Sequence, residues 1–227
     1  MSSRPANDVI FEVVLTTRSA TGALHIAPMG VRYRPAQGPA GEDLVTVMPF
    51  KPSTTLDNIR ARRAAVLNVV TDTRVFAGCV TGRRDWPTEP VPAIDGLRLA
   101  HAMRHLALEL VDDRDDPQRP VLTLRVREQV DHAPFLGFNR AQAAVIEGAV
   151  LVSRLRLLPL ERIERELAPL QVAIDKTASA QEHEAWSWLL EAVERHRQTL
   201  RGAPDLPVVL TPDLTPVLTP TAATEGR

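Results

Sequence analysis

Thr16-Thr17-Arg18-Ser19-Ala20-Thr21-Gly22-Ala23-Leu24-His25-Ile26-Ala27-Pro28-Met29-Gly30 and Met48-Pro49-Phe50-Lys51-Pro52-Ser53-Thr54-Thr55-Leu56-Asp57-Asn58-Ile59-Arg60 are two polar loops set between apolar runs. Before the first, Val9 to Thr16 is rich in β-formers. Ser19 to Gly22 reads as a polar turn, and Ala23 to Arg34 as the returning hairpin strand. Leu44 to Met48 is a third strand, ended by Pro49. In the second loop Pro52 sits near a helix start, and Ser53 or Thr54 caps it. Lys51, Ser53, Thr54 and Thr55 therefore put a cation and hydroxyls where backbone N–H groups are unpaired and the helix dipole is positive. That combination attracts a phosphate. Ser and Thr are also ordinary helix caps, so spacing alone leaves both readings open.

Downstream, Leu56 and Ile59 form one face of a short helix, and Ala65 to Thr71 reads as a buried strand. Thr71-Asp72-Thr73 turns the chain into a short helix or strand through Val80. Gly82 to Gly96 holds Trp86 and three prolines and reads as a surface loop. Leu106 to Val111, a turn over Asp112 to Pro120, and the alternating Val121 to Glu128 read as a long hairpin at the end of a barrel.

The second half switches to helix. Asn139 with Gln142 fits a capping-box variant, and Ala141 to Leu158 is almost continuously apolar. Such a helix is expected to be buried or to lie in a subunit interface. Glu147, Arg154 and Arg156 interrupt it, which argues against a membrane span, and Glu147 is expected to pair with an arginine, such as Arg154 or one from another subunit, rather than to act as a catalytic acid. Leu160 to Leu167 reads as a short helix. Ser179 with Glu182 caps a last one, with Trp186, Leu189, Leu190 and Val193 on its face. From Gly202 the triplet Leu-Thr-Pro recurs at Leu210, Leu214 and Leu218, and proline every fourth residue blocks helix and central strand. The expected division is a barrel over 1–132, a helical segment over 133–201, packed on the barrel or in a dimer interface, and a disordered Pro/Thr-rich tail over 202–227.

The 227 residues are 44% hydrophobic and 24% charged, with a net charge of −1. This suits one globular domain with an appendage. The bulk charge gives no reason to expect nucleic acid or an anionic membrane as partner. Aromatics at 4% make base-stacking platforms unexpected. Cys79 is the only cysteine, so no intrachain disulfide framework or cysteine-rich metal site forms. The N-terminus lacks a long apolar h-region, and no apolar run reaches the ~18 residues of a membrane helix. The expectation is a cytoplasmic protein.

The order of Gly22, Ala27-Pro28, the Lys51–Thr55 loop, Asn58-Ile59 and Leu67-Asn68-Val69 resembles the FMN-binding split-barrel proteins, related to the flavin reductases, over roughly residues 9–130. Pro134-Phe135-Leu136-Gly137-Phe138-Asn139-Arg140-Ala141, followed by Ala144-Val145-Ile146-Glu147-Gly148 and Ser153-Arg154-Leu155, resembles the DUF447 family, which adds a C-terminal helical segment to that barrel. The resemblance implies a mainly β fold with added α, a split β-barrel followed by helices. It implies FMN as cofactor, its phosphate at Lys51, Ser53, Thr54 and Thr55 with Asn58 supporting the turn. The flavin ring would lie along Ala27, Pro28, Met29 and Gly30. It also implies a homodimer, with both subunits bordering each flavin.

Asn139 and Arg140 follow an aromatic-glycine-aromatic turn at a helix start. They are candidates for reaching the cofactor or a substrate anion, or a cap and a surface arginine. His101 and His105 have the i,i+4 spacing of metal ligands only if their segment is helical, and nothing nearby completes a set. His25 precedes the strand expected along the flavin. No dinucleotide fingerprint, P-loop or nucleophile elbow occurs. Two functions fit: an oxidoreductase in which bound FMN acts on a small molecule, needing no protein nucleophile, or a non-enzymatic carrier of FMN or a related phosphorylated heterocycle of pterin or deazaflavin type.

Overall fold

A computed structural model of the chain describes residues 9–37 and 41–202. The Leu-Thr-Pro triplets lie outside the described residues. Strands β1 (Phe11–Arg18) and β2 (Leu24–Arg34) form the expected hairpin, from Phe11 opposite Val31 to Arg18 opposite Leu24. Its turn is closed by Gly22 N–H donating to the Ser19 carbonyl, with Gly22 at φ +90°, where a residue bearing Cβ is strained. Strands β3 (Leu44–Val47), β4 (Ala64–Val69), β7 (Arg104–Arg114) and β8 (Val121–Asp131) complete a closed barrel in the order β1-β2-β3-β8-β7-β4. Register shifts in the β7–β8 pairing, after Ala107 and after Leu110, give the long hairpin the bends that closure requires.

Period-two alternation sends Val13 and Leu15 inward, to a core with Val31, Val45, Leu108 and Leu124. Val14 and Ile26 point outward and are buried as well, under the helices. That explains the apolar run of β1: both faces of the strand are covered. Helix α1 (Thr54–Arg62) plugs one end of the barrel with Leu56 and Ile59, which are 2% and 0% exposed. Helix α2 (Arg74–Thr81) lies on the outer face of β2 and carries α3 (Arg140–Val152) and α5 (Ala180–Gly202), while α4 (Leu160–Thr177) packs mainly on α3.

Three elements differ from expectation. The Gly82–Gly96 stretch is not all loop: β5 (Thr88–Val91) and β6 (Gly96–Leu99) pair around a 3-10 turn and cover Val66 and Ala107. The apolar run from Ala141 is not one helix to Leu158. α3 ends at Val152, and the chain turns where Arg154, Leu157 and their neighbours leave the core. α4 does not stop at Leu167 but runs through Pro169 to Thr177. An interior proline costs about 3 kcal/mol, and burial of Leu167 and Ile174 on one face offsets it. α3 is buried by the chain's own helices, with Ala141, Ala144, Val145, Gly148 and Leu151 inside. A Cβ on Gly148 would stand 2.8 Å from the Trp186 ring, so α5 approaches α3 that closely only because the residue is glycine. Leu190 of the expected α5 face is instead 42% exposed. Among the described residues no helix is long and apolar enough to cross a membrane.

Candidate functional site

The helix start at residue 54 follows from Ser53. Its backbone is extended, and its Oγ accepts from Leu56 N–H at 3.2 Å. The Ser53 carbonyl accepts from Asp57 N–H, beginning the helical ladder. That leaves the N–H groups of Thr54 and Thr55 with no acceptor among the described residues. Thr54 is exposed, so its hydroxyl is open to a ligand. Thr55 is 2% exposed, so its hydroxyl does not face solvent. Of the three hydroxyls at the loop, one therefore caps, one is buried and one is free.

Asn58 is buried and donates through Nδ2 to Thr17 Oγ1 at 3.0 Å. It ties α1 to the end of β1. Lys51 Nζ lies 2.8 Å from Asp115 Oδ1, and Arg60 bridges Asp113 and Asp115 at 2.9 and 2.8 Å. Asp115 is held at about 2, by the Arg60 guanidinium first and Lys51 second. It is therefore ionised at every physiological pH, a resident anion between Lys51 and Arg60. From sequence Asp112 to Pro120 reads only as a turn; its run of carboxylates is the signal for this pairing.

Ala27, Pro28, Met29 and Gly30 lie in the middle of β2, opposite Leu15, Val14, Val13 and Glu12. β3 pairs with β2 only over Val31–Arg34. The other edge of β2 from Leu24 to Gly30 thus has no strand partner among the described residues, and backbone polar groups on that edge are left outside the ladder. Where β3 ends, at Val47 opposite Val31, the chain departs toward Lys51 and α1. The short β3 leaves β2 unpaired on that side over Leu24–Gly30, and α1 packs against β1, β4 and β2. A Cβ on Gly30 would lie 2.9 Å from Ile10 Cγ2 and 3.4 Å from Glu12 Oε1. That face is occupied by the chain, and approach to Gly30 is along the strand edge. The Glu12 carboxyl is pushed up by burial and by Glu147 across from it. Glu147, expected to pair with an arginine, is exposed and has no ion pair among the described residues.

Asn139 and Arg140 are not joined to these two segments by any hydrogen bond or ion pair. Asn139 caps α3, its Oδ1 accepting from Ala141 and Gln142 N–H, and its Nδ2 donates to the Thr177 carbonyl at 3.1 Å. Arg140 is exposed. His25 Nδ1 lies 3.4 Å from Arg84 Nη1, and burial followed by Arg84 depresses its pKa. His101 sits in a turn and His105 on β7, so their spacing does not put them on one helical face.

The model of the N-terminal domain of a protein of unknown function (DUF447) matches residues 11–133, and a second DUF447 model matches residues 139–191. No curated protein matches the sequence. An FMN-bound DUF447 protein from Methanosarcina mazei is similar at a TM-score of 0.67 with 22% identity, covering 81% of this chain and 94% of that one. A 2-nitrobenzoate 2-nitroreductase from Pseudomonas fluorescens aligns at 0.46 with 21% identity, over 56% of this chain and 68% of the other. A flavoredoxin from Methanosarcina acetivorans aligns at 0.45 with 13% identity, over 60% and 79%. The barrel with its appended helices is the expected split-barrel fold, shared with that FMN-bound protein, and the chain belongs to the DUF447 family.

Proposed function

We propose that the chain binds FMN and is an oxidoreductase acting on a small molecule. The observation that carries the reading is the pair of unpartnered N–H groups on Thr54 and Thr55, set with Lys51 and the Thr54 hydroxyl at the start of α1. This donor set matches a phosphate monoester. FMN is chosen among phosphorylated heterocycles because a structural relative in the same family holds it. Flavin, when bound, supplies the hydride or electron transfer. The chain's residues bind and orient. Thr54 and Thr55 N–H and Lys51 hold the phosphate, Ser53 keeps the helix start in shape, and Asn58 fixes α1 to β1. The backbone edge of Ala27 to Gly30 takes the polar edge of the ring. Asn139 and Arg140 join the site only if a second subunit or the ligand itself reaches them.

The reading is tested by the colour of the purified protein. A yellow protein whose visible absorption is bleached by a reduced nicotinamide is the expected result. A yellow protein inert to donors would make it a carrier, and a colourless one that takes up no added FMN would overturn both.

We also propose a homodimer. α3 does not supply its surface, being covered within the chain. The loop between β8 and α3 does: Leu136 and Phe138 are 94% and 100% exposed. Apolar groups of this size seldom stand together in water without a partner. Light scattering at micromolar concentration should return about twice the 25.0 kDa chain mass. A monomer that still carries FMN would exclude both the dimer and a site shared between subunits.

A further inference from the structure

At the opposite end of the β7–β8 hairpin from Lys51, roughly 30 Å along the strands, two histidines meet. His105 on β7 is 4% exposed, and its Nδ1 lies 2.8 Å from His132 Nε2, just past the end of β8. The rings are near parallel, 13° apart. His105 Nε2 is buried without a hydrogen-bond partner and faces Glu128 Oε1 at 3.6 Å, just past hydrogen-bonding distance. His132 is exposed and lines a cleft of about 560 Å³. The other walls are Val69, Met103, Pro134 and Phe135, with Arg104 paired to Asp131 (Nη2 to Oδ2, 2.9 Å) at the rim.

Although no hydrogen bond joins them, the Glu128 carboxylate favours the tautomer that turns a proton toward it, so we assign the proton of His105 to Nε2. His105 Nδ1 is then an acceptor, His132 Nε2 the donor to it, and His132 Nδ1 carries a free lone pair. The arrangement is a carboxylate–histidine–histidine line ending in a base beside an apolar cleft of small-molecule size. Burial first and His132 second depress the pKa of His105, which keeps that ring neutral and able to accept from its neighbour.

We propose that this cleft is a ligand site for an aromatic molecule with an acidic hydroxyl, and that His132 is the base that takes its proton. The ring lies against Val69, Met103, Pro134 and Phe135, and the hydroxyl donates to His132 Nδ1. On transfer, the O–H bond breaks, the N–H bond forms, and the products are a phenolate and a His132 imidazolium. The imidazolium donates from Nε2 to His105, which is oriented in turn by Glu128. His105 and Glu128 are positioning residues. Arg98 disfavours charge on His105, and the Asp131 carboxylate, paired to Arg104, lies within electrostatic reach of His132. The site is independent of the flavin reading, since neither Lys51 nor α1 takes part.

p-Nitrophenol is the probe, because its anion absorbs where its neutral form does not. It is titrated into the whole protein below its own pKa, and difference spectra are taken against protein alone. The nitrophenolate band should grow and saturate at one equivalent per chain. His132→Ala should abolish it or weaken binding by about tenfold or more. Glu128→Gln, at an exposed position that leaves the core untouched, should retain binding but lower the bound ionised fraction and move its pH profile upward. No band in the parent protein, or an undiminished band in the His132→Ala protein, overturns the proposal. An unchanged pH profile in Glu128→Gln overturns the relay.

Discussion

Lys51→Ala combined with Thr54→Ala is expected to weaken FMN binding at least tenfold while the melting temperature moves little. A charge-assisted hydrogen bond contributes about 1.5–3 kcal/mol, and each 1.4 kcal/mol is about tenfold in affinity. Only part of Lys51's share is realised, because Asp115 already holds its ammonium. That pair, with Lys51 30% and Asp115 67% exposed, is worth little to the fold. Thr54 is exposed, so its removal leaves the core alone. Thr55 is the wrong residue to change, because it is buried and its loss would mix packing with binding. Ser53 is equally unsuitable, since its Oγ caps Leu56 N–H at a value of about 1 kcal/mol. Asp115→Asn carries the opposite sign: it removes the resident anion and should tighten FMN binding by a few fold. A fluorescence titration of flavin-free protein reads both variants. Unchanged affinity in the double variant would remove the phosphate from α1, and weaker binding in Asp115→Asn would remove Lys51 from the contact.

The second large effect is on stability. Asn68→Leu should destabilise the chain by about 2–4 kcal/mol, the cost of stranding buried polar partners. Asn68 is 0% exposed. Its Oδ1 accepts from Leu99 N–H at 2.8 Å, and its Nδ2 donates to the Val14 carbonyl at 3.1 Å. One amide thus joins β4, β1 and β6, elements that meet only in the folded chain. Leucine has similar volume and no polar atoms, so the cavity contribution is small and the lost hydrogen bonds dominate. For a chain of this size the melting temperature should fall by roughly 5–15 °C, at about 2–4 °C per kcal/mol. Circular dichroism melting measures it. A fall of less than about 1 kcal/mol would mean that water or backbone movement satisfies the stranded groups.

How far the sequence reaches is clearest at α1. Ser53, Leu56 and Ile59 announce a capped helix with one apolar face by local chemistry, and the helix is there. The same local chemistry announces the β1–β2 hairpin through Gly22, and the caps at Asn139 and Ser179. Signals of this kind are legible because each is settled by hydrogen bonds and steric limits within a few residues. Pro169 and the prolines around β5 show the opposite case. Their local preference is against helix and strand, yet α4 runs on and β5 pairs with β6, because burial of neighbouring apolar groups outweighs the local cost.

The sequence by itself determined the elements that propensity, capping and turn chemistry specify: a barrel-forming first half, a helical second half and a donor-rich helix start at Lys51 to Thr55. Only the tertiary structure decided what those donors meet. It set Asp115 against Lys51, buried Thr55, left the β2 edge open beyond a short β3, and brought His105 to His132 across 27 residues. These are non-local contacts, fixed by barrel closure and strand register, and no sequence period or motif encodes the register of strands that distant chain segments contribute.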